Sequence, residues 1–163
     1  LKGWELTVLT AFFPVLAATV VTTSIVAGFL VDRFGAWRLI PGLLIPLGLG
    51  SLVLATLTPL WVIPLFLVLF GMTTGLMAPV LGALWAEIYG TAHLGAVRSL
   101  ATAAMVSASA IGPGIAGLLI DLGIDLDAQG FGYAAYCFAG AALFFSIRPL
   151  FARRAGEAAR PAA

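Results

Sequence analysis

Gly28 to Arg38 reads GFLVDRFGAWR, an acid and two bases set into a chain that is apolar over long runs on both sides. Charges of this kind belong where water is, because an ionised side chain in hydrocarbon is costly. The surrounding runs decide the fold. Of the 163 residues, 62% are hydrophobic and only 9% charged, with a mean hydropathy of +1.13. A soluble domain carries about a quarter charged residues, so this composition is that of an integral membrane protein and the charged stretch is a connector at a membrane surface.

A helix that crosses roughly 30 Å of hydrocarbon needs about 20 mainly apolar residues, and five segments qualify, at about 6–31, 38–57, 61–86, 98–120 and 131–150. The connectors between them are short, so successive helices are expected to run antiparallel as neighbours. Strands of a membrane barrel would alternate in polarity every second residue, and GLLIPLGLGSLVLATL does not. The expected fold class is an all-α integral membrane bundle, with residues 1–150 as the transmembrane region and 151–163 as a C-terminal tail.

Bases are retained on the cytoplasmic side during insertion. Arg33, Arg38, Arg98, Arg148, Arg153, Arg154 and Arg160 fall on one side of a five-helix arrangement, and Lys2, Asp121, Asp125 and Asp127 on the other. The arginine side is therefore expected to be cytoplasmic, with the C-terminus inside and the protein multi-pass in the cell (inner or plasma) membrane. Trp37 and Trp85 fall at the inner interface and Trp4 and Trp61 at the outer one, as an aromatic belt requires. The chain opens on Leu1 without a signal-type leader, and the expectation is the later part of a longer protein.

Several chemistries find no support. The net charge of +1 comes without basic runs, so no nucleic-acid partner is expected. A lone cysteine, Cys137, cannot supply a disulfide within the chain or a multi-cysteine metal site. The single histidine, His93, lies in a connector far in sequence from Cys137, so no catalytic pair is expected, and no G-x-x-x-x-G-K-[ST] phosphate loop occurs. No metal, cofactor or catalytic residue is predicted. No ionisable residue falls in the middle of a predicted helix, so this stretch supplies no proton relay of its own. Glu87, at the inner end of the third helix, reads as an interfacial group or a partner of Arg98.

Within the opening stretch, Gly28 precedes Asp32 by a helical turn, Arg33 follows, and Gly35 supplies a backbone that can adopt positive φ in a tight reversal. Gly28 is expected to let the first helix approach a neighbour closely. Asp32 is expected to cap the helix that follows and to complement its dipole. This arrangement resembles the G-x-x-x-D-R-x-G loop motif of the major facilitator superfamily, which lies between the second and third helices of each six-helix half. The chain differs from the motif at Ala36 and Trp37, where the family carries bases, and regains one at Arg38. AEIYGTAHLGAVRSL and SASAIGPGIAGLLID also resemble the tenth-to-eleventh connector and eleventh helix of bacterial members, including organic-anion and monocarboxylate carriers.

The resemblance implies that the five segments are family helices eight to twelve, the C-terminal portion of a carrier. Gly28, Asp32, Arg33, Gly35 and Arg38 would then form a gating loop, and Thr73, Thr74 and Met77 would face substrate, because the tenth family helix lines the central pathway. Thr19, Thr22, Thr23 and Ser24 are similar candidates. Small residues recur at helical spacing on the third segment (Gly71, Gly75, Ala78, Gly82) and on the fourth (Ala103, Ser107, Ala110, Gly114, Gly117), and such faces let helices pack closely. Gly112, Pro113 and Gly114 belong to the expected packing region of the fourth, where proline removes a backbone hydrogen bond and is expected to bend the helix.

The function implied is secondary transport of a small solute by alternating access, with an organic anion or monocarboxylate as one solute class. The partners are then the lipid bilayer, the solute and a missing N-terminal half. The contrasting expectation is a small non-transporting membrane scaffold, or a degenerate carrier remnant.

Overall fold

The computed structural model describes residues 6–158, and within them the chain is a series of helices. The first is α1, Leu6–Ala11, and after a break at Phe12 comes α2, Phe13–Phe34. Pro14 stands in the first turn of α2, where its missing N–H costs nothing but cannot continue the α1 ladder. Next come α3, Ala36–Leu43, and α4, Ile45–Thr56, which together make one membrane-crossing span broken at Leu44 between Pro41 and Pro46. The remaining elements are α5, Val62–Tyr89, α6, Leu94–Asp121, and α7, Leu126–Ala158.

Five spans are long and apolar enough to cross a membrane, and the protein is an all-α, multi-pass membrane bundle. The helices run further than the apolar pattern alone suggests. DRFGAWR, expected as a connector, is helical except at Gly35, and EIYGTAHLGAVR is helical except at residues 90–93. Hydropathy marks where lipid ends, whereas a helix continues past that point until a residue such as glycine stops it. Lys2, Trp4 and Arg160 lie outside the described residues.

Close packing is concentrated in three places. One is the seam between α2 and α5, and another is α4 against both α5 and α7. The third is a cluster of Ala36, Ile40 and Leu43 from α3 with Val80 and Leu84 from α5, flanked by Phe144 of α7. In lipid no hydrophobic force separates a helix from its solvent, so contact depends on close van der Waals fit and hence on small residues. At the α4–α7 seam a Cβ built on Gly130 would lie 2.9 Å from Cβ of Ala55, and one on Gly48 3.1 Å from Cβ of Cys137.

The fourth span, α6, stands apart, with none of its residues buried. It touches α5 and α7 only lightly. The turn that joins it to α7 is tied by Gln129, 5% exposed, whose amide donates to the carbonyl oxygens of Ile124 at 3.0 Å and Ala116 at 3.4 Å. Tyr133 donates to the same side chain at 3.4 Å.

Candidate functional site

At the arginine-bearing end of the bundle, α2 stops at Gly35, whose φ of 81° and ψ of 148° suit glycine and strain any residue with a Cβ. Its N–H closes the helix by donating to Val31 O at 2.8 Å. Helix α3 begins at once, so its first N–H groups need an acceptor. That acceptor is Glu87, from the last turn of α5. Oε1 takes the Ala36 N–H at 2.8 Å and Oε2 the Trp37 N–H at 3.3 Å. A carboxylate at a helix N-terminus also complements the positive end of its dipole.

This corrects two expectations. Asp32 does not cap the second span, because α2 continues through Phe34 and carries Asp32 in its own last turn. Glu87 braces the start of α3 instead of pairing with Arg98, whose guanidinium lies beside Gly82. Asp32 is exposed and, among the described residues, has no hydrogen-bond or ion-pair partner. Arg33 lies over the Phe34 ring at 5.7 Å. Trp37, at a position where the motif has a base, receives two guanidinium groups: Arg38 at 4.9 Å and Arg148 of α7 at 5.3 Å from its ring centroid.

Gly28, expected at a close approach, has nothing within 4 Å of a built Cβ. The close approach between α2 and α5 lies further along. A Cβ on Gly75 would stand 2.7 Å from Val20 O and 2.8 Å from Cβ of Thr23, and one on Gly71 would stand 3.0 Å from Cβ of Thr19. Beside this seam a groove of about 350 Å³ is lined by Ala18, Thr19, Thr22 and Thr23 of α2 with Val68 and Met72 of α5. Thr19 Oγ1 donates to Val15 O at 2.8 Å, a bond within its own helix.

The α5 residues expected to share one open face are divided. Thr73, 4% exposed, is buried like Val80 and Leu84, and its Oγ1 finds no hydrogen-bond partner among the described residues. Thr74 and Met77 are exposed, with Thr74 Oγ1 donating to Phe70 O at 2.9 Å. The face opposite Gly71 and Gly75 is therefore partly core, because α3 and α4 pack there. On α6, built Cβ atoms at Gly112, Gly114 and Gly117 meet nothing within 4 Å, and Pro113 is exposed, so this small-residue face is unpacked here. Among the described residues no group of His, Cys, Asp and Glu could hold a metal ion.

The sequence was silent on the Glu87 cap, the Arg148–Trp37 stack and the Gln129 tie, since each joins residues of different helices or closes a loop whose shape no local pattern announces. The glycines of α4 and α7 carried a local signal, small residues within apolar helices.

The model of the Major Facilitator Superfamily matches residues 2–163. Two relatives, each named multidrug resistance protein B homolog and drawn from two strains of Mycobacterium tuberculosis, are 35% identical over 103 residues, 63% of this chain. The match takes in only 18% of each relative's length. No solved structure matches the chain.

Proposed function

This chain belongs to the Major Facilitator Superfamily, and from that premise we propose that it is part of a secondary transporter moving a small organic solute by alternating access. Family carriers bind solute near the midplane between two rocking halves. We assign the five spans to one side of such a carrier, family helices eight to twelve, with the arginine-bearing end and the C-terminus in the cytoplasm of a cell membrane protein.

Asp32 carries this reading. Its carboxylate is exposed in the last turn of α2 and has no hydrogen-bond or ion-pair partner among the described residues. Next to it the start of α3 is braced by Glu87. A fixed loop presenting one unanswered acid suits a latch that engages a second set of helices in one state and releases it in another. In this reading Gly28, Asp32, Arg33, Gly35 and Arg38 act as the gating loop. The exposed face of α6, with Gly112, Pro113, Gly114 and Gly117, is a contact for helices outside this chain.

We place solute contact at the groove containing Thr22, Thr23 and Met72, and on the exposed Thr74 and Met77. Hydroxyl and apolar groups there suit an uncharged or weakly polar organic solute, whereas a carboxylate solute would call for a base at membrane depth. Everted vesicles from cells expressing the gene that encodes this chain test the reading, with the neutral dye Nile red as the uncharged drug-like solute and radiolabelled lactate as the monocarboxylate. Nile red accumulation above vector-only vesicles, reduced by Thr22→Val, is the expected result. Lactate accumulation alone would replace the solute class, and no accumulation of either with the protein present in the membrane would overturn the transport reading.

A further inference from the structure

Arg38 opens one membrane-crossing span and Arg148 lies in the last turns of another, and both guanidinium groups meet on the indole of Trp37. Two groups each about 5 Å from one ring centroid stand at most roughly 10 Å apart, so two positive charges are gathered around a single indole. Cation–π contact with Trp37 orients them but neutralises neither. Among the described residues no carboxylate lies within ion-pair distance of either. The Glu87 carboxylate that reaches the start of α3 accepts the Ala36 and Trp37 N–H groups and forms no ion pair with either guanidinium. The arrangement is complementary to an anion.

The surroundings say which anion. Arg148 sits one helical turn from Phe145, 65% exposed, on a span long and apolar enough to cross a membrane. Trp37 is the amphipathic ring expected at headgroup depth. An anion carried at the head of two acyl chains meets the arginines and covers the Phe145 ring together, whereas a free anion meets only the charges. Guanidinium is also the cation whose planar donors match phosphate oxygens in pairs.

We propose that Arg38 and Arg148, gathered over Trp37 between α3 and α7, form a binding site for the phosphate of an anionic phospholipid headgroup. The site holds lipid against the α3–α7 contact, on a part of the protein distinct from the hydroxyl-lined groove.

Native mass spectrometry of the purified, delipidated protein tests this, titrated with phosphatidylglycerol, with phosphatidylcholine, and with phosphatidylglycerol in excess inorganic phosphate. The expected result is a preference for phosphatidylglycerol of the order of tenfold, the scale for two arginines at a membrane surface. Arg38→Gln with Arg148→Gln should abolish it and Arg98→Gln should keep it. Should the double variant fail to fold, quenching of wild-type tryptophan fluorescence by brominated phosphatidylglycerol, lost in Trp37→Phe, reads the same site. Equal binding of both lipids, a preference surviving the double variant, quenching unchanged by Trp37→Phe, or displacement by inorganic phosphate would each overturn the proposal.

Discussion

Glu87 Oε1 accepts the backbone N–H of Ala36 at 2.8 Å, across 51 residues of sequence. This bond makes the last turn of α5 the cap of α3, so the tight reversal at Gly35 is held from outside itself. The brace is expected to be structural. Glu87→Ala should lower the unfolding free energy by about 1–2 kcal/mol, the scale of a lost helix cap, and Glu87→Gln by less because its amide oxygen still accepts. Thermal unfolding in detergent reads the difference; equal midpoints for all three proteins would remove the cap from the account.

Asp32 makes the opposite case. Exposed and without a partner among the described residues, it contributes nothing visible to this bundle. Asp32→Asn should therefore leave membrane abundance and thermal midpoint near wild type while transport falls. Parallel losses of abundance and transport would show that the acid serves insertion or folding instead of a latch.

Gly75 and Gly114 are both small residues on apolar helices, yet their surroundings differ. A methyl group at Gly75 would press on Val20 O at 2.7 Å, backbone that cannot swing aside, while one at Gly114 meets open space in this chain. Gly75→Ala should destabilise the bundle by about 1–3 kcal/mol, the range for overpacking, and Gly114→Ala should leave its stability unchanged. Chemical denaturation of both variants in one detergent decides, and equal effects would contradict the α2–α5 seam.

Thr73 holds a buried hydroxyl with no hydrogen-bond partner among the described residues. An unsatisfied buried polar group costs about 1–3 kcal/mol, so Thr73→Val, nearly the same shape, should be neutral or stabilising and should spare transport. A selective loss of transport with stability retained would return Thr73 to the solute pathway.

Gln129 ties the α6–α7 turn through its side-chain amide. Gln129→Leu leaves the Ile124 carbonyl without its side-chain donor and should raise hydrogen exchange across residues 116–129, while the α4–α7 seam keeps its protection. Unchanged exchange in that turn would show that the backbone bonds of Gly123 and Ile124 suffice to hold it.

What the sequence determined by itself is the class of the molecule and the sites of its helices. Apolar runs of membrane length, charges confined to their ends and glycines at the reversals are local facts, and the penalty for burying a charge or an unpaired backbone group in lipid leaves few other solutions. The GFLVDRFGAWR stretch was legible as a loop motif for the same reason. Only the tertiary structure decided how its charges are used. A helix cap requires an acceptor in the right place, whatever its position in sequence, and packing supplies Glu87 there in place of Asp32. Packing likewise encloses Thr73 while leaving Thr74 exposed, although they are neighbours in sequence, because a helix turns successive side chains about 100° apart and α3 and α4 cover only one side of α5.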